Sequence, residues 1–384
     1  MQVPDRFYDK FAGADLAMRA RDPGLESMDM TRAALAMCEN IDWNTGRILQ
    51  ALVDLDLAEN TIVLYFCDNG PNSWRWNGEM KGRKGSTDEG GVRSPLLVRW
   101  PGRIAPGTVV PQIAAAIDLL PTLAELAGIP LEGGKPLDGR SLAPLLLGKA
   151  IDWTDRIVFS HWNRRVSART QRWRLDSQGA LFDMLADPAQ DRNVAAEHPE
   201  IAARLRRAVE EWKSSVLAEL ERDDRPFTVG YPPGPTTRLP ARDGVPHGNV
   251  KRSASAPNCS YFTNWTSERD RMTWDIDVAT SGDYQASVYY ACASEDVGSV
   301  VELRCGHSRI EAVVAEAHDP PLVGKEHDRA SRGHESYVKD FKPMPLGVIR
   351  LEQGRAELIL QAKKVAGSQA MDVRYIELTR LEGE

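Results

Sequence analysis

The stretch NTIVLYFCDNGPNSWRWNGEMKGRKGSTDEGGVRSPLLVRW, residues 60–100, decides the fold of the first part of the chain. Its apolar, β-branched opening, Thr61–Cys67, predicts a buried strand of an α/β sheet. The strand pattern stops at Asp68-Asn69-Gly70-Pro71. Ligands of open α/β sheets bind at the carboxyl ends of strands, and Asp and Asn oxygens suit a hard cation such as Ca²⁺. We therefore predict metal ligands at Asp68 and Asn69.

A glycine-rich segment, KGRKGSTDEGGVR, follows at residues 81–93. Its glycines let the backbone approach a small anion, and its lysines and arginines supply positive charge. Taken alone, Asp-Asn-Gly is more often a turn, and a loop of lysine and glycine is more often solvated surface. Both features in this order, joined by a strand, favour a metal site beside an anion site.

Three segments together carry a family resemblance: DNGP at 68–71, KGSTDEGGVRSP at 84–95 and RWPG at 99–102. They resemble the sulfatase (arylsulfatase) family of the alkaline-phosphatase superfamily, and the similarity covers roughly residues 1–225. The resemblance implies that Asp68 and Asn69 ligate Ca²⁺, or Mg²⁺, and that Lys84 contacts the sulfate. One position departs from the pattern, since family members usually have tyrosine where this chain has Asp88.

The resemblance also shows what this sequence lacks. The nucleophile of sulfatases is a formylglycine made from the Cys or Ser of a C/S-x-P-S-R motif, and no residue of this sequence begins that motif. The opening MQVPDRFYDKF is similar to a segment that lies mid-chain in sulfatases. We therefore expect the C-terminal portion of a longer sulfatase, with an incomplete metal site and no activity by itself.

The expected function of the full-length form is Ca-dependent hydrolysis of sulfuric esters, on a sulfated small molecule or a sulfated carbohydrate. A carbohydrate-binding or scaffold module is one alternative. A phosphoester hydrolase of the same superfamily is another. His161, which directly follows a predicted strand, is a further candidate for contact with the substrate, although a lone loop histidine is more often structural.

Composition and charge limit the classes of partner that we expect for this chain. The 384 residues carry a formal net charge of −7 and a pI near 5.7, which argues against a general nucleic-acid binder. No segment reaches the roughly 18–20 apolar residues of a membrane span, and no signal peptide opens the chain. We expect no nucleic acid and no membrane as partners, while localisation and oligomeric state stay open. The five cysteines are predicted to be small buried residues. A disulfide pair between Cys292 and Cys305 is the alternative.

The α/β part is expected to span residues 1–153. Within it, residues 28–57 predict a long helix, because apolar residues recur at helical spacing. This predicted buried face consists of Leu35, Cys38, Ile41, Ile48, Leu52 and Leu55. Residues 154–222 predict a small subdomain, with closely spaced short strands forming an antiparallel sheet and a helix closing it.

The rest of the chain predicts an all-β fold. Residues 223–257 are rich in proline and glycine and predict a linker or a surface strap. Seven alternating strands within residues 258–384 indicate a β-sandwich, similar to the galactose-binding-like modules appended to carbohydrate enzymes. Tyr261, Phe262 and Trp265 are candidates for stacking on sugars, although aromatic residues of sandwiches usually belong to the core.

Overall fold

The computed structural model describes residues 1–17, 19–149, 151–220 and 224–381. The chain divides into two compact units, Val3–Asp223 and Met1–Gln2 with Asp224–Glu384. The α-helices are α1 Asp5–Ala12, α2 Met28–Asp54, α3 Glu89–Val92, α4 Leu119–Ala127, α5 Ala143–Leu146, α6 Pro199–Trp212 and α7 Ala218–Leu220, the last two joined by a π-helical stretch, Lys213–Leu217. None of the helices in the described ranges is long and apolar enough to cross a membrane.

The strands follow in chain order. In the first unit they are β1 Val63–Phe66, β2 Leu96–Arg99, β3 Val158–Trp162, β4 Arg165–Arg169, β5 Trp173–Leu175 and β6 Leu181–Asp183. In the second they are β7 Phe227–Val229, β8 Thr236–Pro240, β9 Val245–His247, β10 Lys251–Arg252, β11 Phe262–Thr263, β12 Arg271–Val278, β13 Gly282–Ala291, β14 Val300–Cys305, β15 Ser308–Val313, β16 Lys342–Leu351, β17 Gly354–Lys364 and β18 Asp372–Arg380.

Helix α2 forms as predicted, but its apolar face is not covered. The Ser27 side chain caps the helix by accepting a hydrogen bond from the Met30 N–H. The buried positions are small residues, such as Ala33 and Ala36. The prediction of a buried face was wrong: Leu35, Cys38, Ile41, Ile48 and Leu55 are exposed, and Leu52 is half-buried. Helical periodicity identifies an apolar face, but not whether another element packs on it.

The strand before Asp68 is present but is shorter and less buried than predicted. β1 pairs with β2, antiparallel, in a sheet of two strands. Its residues are half-buried, and Phe66 is exposed. An apolar run predicts a strand whether the strand is buried or partly exposed. Burial on both faces requires flanking strands and helices, and the described residues do not place such elements around β1.

A small antiparallel sheet lies where the sequence predicts closely spaced short strands. Strands β3, β4, β5 and β6 form a sheet in that order. Helix α6 packs on the sheet through Leu205 and Val209, which share a core with Val166, Leu175 and Leu181. This core gives the sheet a rigid position against which a loop can be anchored.

The second unit is all β, and two sheets enclose one core. One sheet has the order β10-β11-β18-β13-β16 with β8 beside β18, and the other has β15-β14-β17-β12-β7 with β9 beside β12. Alternate residues of both sheets point into the core, as in β12, where Met272, Trp274 and Ile276 are fully buried.

The predicted linker is wrong, because strands β7 to β10 occupy most of residues 223–257. Residues 221–223 lie outside the described residues. β7 and β9 pair with β12, and β8 pairs with β18. Val229, Leu239 and Ala241 are fully buried in the common core. Proline is tolerated in edge strands, so the proline content here reflects edge strands rather than a linker.

The aromatic residues proposed to stack on sugars lie in the core instead. Phe262 and Trp265 are fully buried and Tyr261 nearly so, and the Trp265 indole N–H donates to the Asp270 carbonyl at 3.1 Å. The similarity to galactose-binding-like modules stays a prediction.

The five cysteines are all free, so the Cys292–Cys305 pair is not formed. Cys292 and Cys305 are buried as expected, whereas Cys38 is exposed and Cys67 and Cys259 are half-buried. Burial raises the pKa of the Cys292 thiol to about 11.

Candidate functional site

Three of the predicted site residues, Asp68, Asn69 and Lys84, lie in one long loop, residues 67–95, between β1 and β2. Because β1 and β2 are paired, the two ends of the loop are held side by side. Gly70 N–H donates to the Gly91 carbonyl at 2.9 Å, and Lys84 N–H donates to the Pro71 carbonyl at 2.9 Å. Gly70 has no room for a side chain, since a Cβ atom there would lie 1.9 Å from the Gly90 carbonyl oxygen. The loop therefore folds back on itself and brings its two motifs together.

This folding places Lys84 next to Asp68. Lys84 Nζ lies 3.9 Å from Asp68 Oδ2. Both groups face solvent, with the Asp68 side chain 81% exposed and that of Lys84 50% exposed. Asn69 directly follows Asp68 and is half-buried. An accessible ammonium beside a carboxylate and an amide oxygen can bind an anion and contribute ligands to a cation.

Asp68 and Asn69 do not by themselves fit a complete metal site. They offer one carboxylate and one neutral oxygen, whereas Ca²⁺ takes six to eight oxygens. Across the described ranges, no group of three or more His, Cys, Asp or Glu residues could hold a metal ion. The two residues have the chemistry of metal ligands, but an ion held here needs further donors.

A buried ion cluster anchors the glycine-rich loop to the small sheet. Glu89, the first residue of α3, is buried. Its Oε2 lies 3.1 Å from Arg174 Nη1 and 3.5 Å from Arg169 Nε, and Arg174 also donates to the Thr87 carbonyl at 2.6 Å. Burial lowers the pKa of both arginines, and Glu89 opposes that shift. The loop is thus fixed by charges that are costly to separate.

A second contact joins Lys81 of the same loop to the small sheet. Lys81 Nζ lies 3.4 Å from Asp176 Oδ2 and 3.6 Å from Asp88 Oδ1. Asp88 is the position at which the chain departs from the sulfatase pattern. The Asp88 carboxylate pairs with Lys81 and not with Lys84. Having Asp at position 88 therefore does not draw the Lys84 ammonium away from Asp68.

His161 lies near the end of β3, and its ring makes structural contacts. Nε2 accepts a hydrogen bond from the Arg164 N–H at 3.1 Å, and the ring lies 6.0 Å from that of Trp212. These contacts support the β3–β4 turn. A role for His161 in contacting substrate stays a prediction.

Two residues of the β3–β4 hairpin reach the glycine-rich loop and were not predicted from the sequence. Arg165 Nη2 donates to the Gly85 carbonyl at 2.8 Å, and Trp162 lies beside Gly85. The signal that could have identified the hairpin is Asn163-Arg164, a two-residue connection between β-rich segments.

Two family models match the part of the chain that contains this site. The model described as Sulfatase matches residues 1–129. The model described as N-sulphoglucosamine sulphohydrolase, C-terminal, matches residues 84–215. This part of the chain, residues 1–215, belongs to the sulfatase family. The resemblance drawn from the DNGP and KGSTDEGGVRSP segments is therefore confirmed, within the alkaline-phosphatase superfamily.

The chain is also similar to individual sulfatases. The chain is 34% identical to steryl-sulfatase of Mus musculus over 253 residues, which cover 62% of this chain and 40% of that protein. It is 44% identical to arylsulfatase A of Homo sapiens over 147 residues, 37% of this chain and 27% of that protein. Among solved structures, Ps i-CgsB in complex with k-i-k-neocarrahexaose aligns with a TM-score of 0.47 and 25% identity, covering 55% of this chain and 46% of that one. The chain spans less than half the length of the two curated relatives, steryl-sulfatase and arylsulfatase A.

Proposed function

We propose that this sulfatase-family chain supplies one part of an active site that hydrolyses sulfuric esters. In this proposal the Lys84 ammonium contacts the sulfate group, and Asp68 and Asn69 contribute two ligands to a divalent cation, Ca²⁺ or Mg²⁺. The observation that carries the proposal is the 3.9 Å contact between Lys84 Nζ and Asp68 Oδ2, which joins residues of two separate family segments.

The chemistry follows from charge. Hydrolysis of a sulfuric ester builds negative charge on the oxygens around sulfur, and a fixed ammonium stabilises that charge. Asp68 is the resting partner of Lys84, and both groups are accessible, so a sulfate can approach Lys84 without unfolding the loop. A divalent cation bound beside Asp68 and Asn69 would further withdraw negative charge from the oxygens around sulfur. Because these two residues do not complete a metal site, the role of this chain is orientation and charge stabilisation.

We also propose that the chain alone does not turn over aryl sulfates. A covalent step needs a nucleophile, and the formylglycine motif has no counterpart in this sequence. The proposed substrate class is a sulfated small molecule or carbohydrate. The family descriptions of steryl-sulfatase and N-sulphoglucosamine sulphohydrolase support that range.

The experiment is an NMR titration of the purified chain with inorganic sulfate, following the amide signals of residues 68–91. We expect Lys84→Ala to weaken sulfate binding about fivefold, since one exposed charge contact is worth about 1 kcal/mol. Lys135→Ala, which removes an exposed lysine elsewhere in the same unit, is the matched control and should change nothing. Equal sulfate affinity in Lys84→Ala and the wild type would contradict the proposed role of Lys84.

A further inference from the structure

The tip of the β3–β4 hairpin touches the glycine-rich loop beside Lys84. Arg165 Nη2 donates to the Gly85 carbonyl at 2.8 Å. The indole nitrogen of Trp162 lies 3.8 Å from the position that a Cβ atom on Gly85 would occupy. Gly85 has a φ of +89°, a conformation that favours glycine, so no side chain separates the indole from the loop. Trp162 therefore borders the residue that follows the proposed sulfate contact.

Trp162 is not used by the fold. Its side chain is 56% exposed, and it is not part of the core shared by the small sheet and α6. Among the described residues, none accepts a hydrogen bond from its indole N–H. An aromatic ring of this size can cover a large apolar area when a ligand packs on it, and its N–H can bind a ligand oxygen.

The hairpin holds Trp162 in place before any ligand binds. Asn163 and Arg164 have φ values of 46° and 63°, which suit a tight two-residue turn between antiparallel strands. His161 Nε2 accepts the Arg164 N–H. Trp162 and Arg165 are directly paired across the hairpin, so both side chains emerge on the same face, the face that meets Gly85. A contact residue held in this way loses little entropy on binding.

We propose that Trp162 forms a substrate subsite that stacks on the sugar ring of a sulfated carbohydrate while Lys84 contacts its sulfate. The surroundings of the ring favour a sugar over a sterol. Arg165 is paired with Trp162 across the hairpin, and its guanidinium contacts the Gly85 carbonyl, so a cationic group lies on the part of the loop that Trp162 borders. A sugar ring offers one apolar face with polar and anionic groups around it, whereas a sterol requires an extended apolar wall. This inference rests on the proposed function, which assigns Lys84 to the sulfate.

The test compares galactose 6-sulfate with inorganic sulfate in NMR titrations of the purified chain, following the Gly85 amide. We expect the sugar sulfate to bind about fivefold more tightly than inorganic sulfate, a gain of the size of one aromatic stacking contact. Trp162→Ala should remove that gain and leave the affinity for inorganic sulfate unchanged. Trp162→Phe should retain part of it, because a smaller ring still stacks. Trp43→Ala, which removes an exposed tryptophan of α2, should retain all of it.

The outcomes separate the two proposals. Equal affinities of the wild type and Trp162→Ala for the sugar sulfate, with Lys84→Ala still weakening both ligands, would overturn the subsite and leave the sulfate contact standing. Loss of inorganic sulfate binding in Trp162→Ala would also overturn it, since a subsite for the ring should not act on the sulfate. No effect of Lys84→Ala on either ligand would remove the proposed function. Absence of binding by both ligands would overturn both.

Discussion

Replacing Glu89 by glutamine is expected to destabilise the small sheet by about 3–5 kcal/mol, the usual cost of leaving a buried charge without its partner. Glutamine keeps the shape of the side chain but removes the charge that faces Arg174 Nη1 at 3.1 Å and Arg169 Nε at 3.5 Å. The Arg174 side chain is only 1% exposed, so water cannot replace the carboxylate. The Thr87 carbonyl would still accept from Arg174, and this bond limits the loss.

The matched control is Glu197→Gln. Glu197 pairs with Arg192 at 2.7 Å, a shorter distance, but both side chains are at least half exposed. Exposed pairs contribute about 0–1 kcal/mol, so the control should change stability by less than 1 kcal/mol. The comparison therefore separates the effect of burial on stability from the effect of the distance between the two charged groups.

Hydrogen-exchange mass spectrometry measures the effect where it arises. Peptides that cover β4 to β6 report the opening free energy of the small sheet. The double variant Glu89→Gln/Arg174→Met should regain much of the lost stability, because a buried pair replaced by neutral groups is often nearly as stable. If Glu89→Gln and Glu197→Gln changed the exchange of these peptides equally, the cluster would not be what anchors the glycine-rich loop.

Four further outcomes are expected. Calorimetry should find that the chain binds Ca²⁺ no more tightly than about millimolar, because Asp68 and Asn69 supply too few oxygens; tight binding that survived Asp68→Ala would remove Asp68 from the ligand set. The purified chain should release no 4-nitrophenol from 4-nitrophenyl sulfate, since the sequence has no formylglycine motif; turnover that disappeared in Lys84→Ala would contradict this. A fragment of residues 224–381 should melt cooperatively by circular dichroism, whereas residues 249–381 should be about 5 kcal/mol less stable, because buried Val229 and Leu239 are lost; equal melting temperatures would restore the linker interpretation. Burial raises the pKa of the Cys292 thiol from 9.0 to about 11, so the folded state favours the protonated thiol, and the stability that results should be lost as the pH rises from 9 to 11. Urea unfolding of the wild type and of Cys292→Ala from pH 8 to 11 measures this loss. The unfolding free energies of the two proteins would depend on pH with the same slope if the thiol were not buried.

Local patterns in the sequence predicted local structure better than they predicted burial. The strand end at Asp68 and the glycine-rich return at Lys84 are local features, and the structure brings their charged groups to 3.9 Å from each other. The small sheet was likewise predicted from closely spaced short strands. These features depend on neighbours in the chain, and the sequence contains those neighbours.

The errors arose where distant residues decide the structure. The apolar face of α2, which includes Ile48 and Leu55, has the pattern of a buried face, yet it is exposed. Residues 223–257 have the composition of a linker, yet pairing with β12 and β18 makes them edge strands. Glu89 and Arg174 are 85 residues apart, and no local pattern connects them. Trp162 was missed for the same reason, since its neighbour Gly85 belongs to another segment.

The proposed contact between Lys84 and sulfate can be observed in a crystal of the chain soaked in selenate, an analogue of sulfate with an anomalous signal. We expect an anomalous selenium peak beside Lys84, with a selenate oxygen within about 3.2 Å of Lys84 Nζ, the range of a hydrogen bond, and loss of that peak in Lys84→Ala. Selenate bound at other lysines such as Lys135, with none at an accessible Lys84, would contradict it.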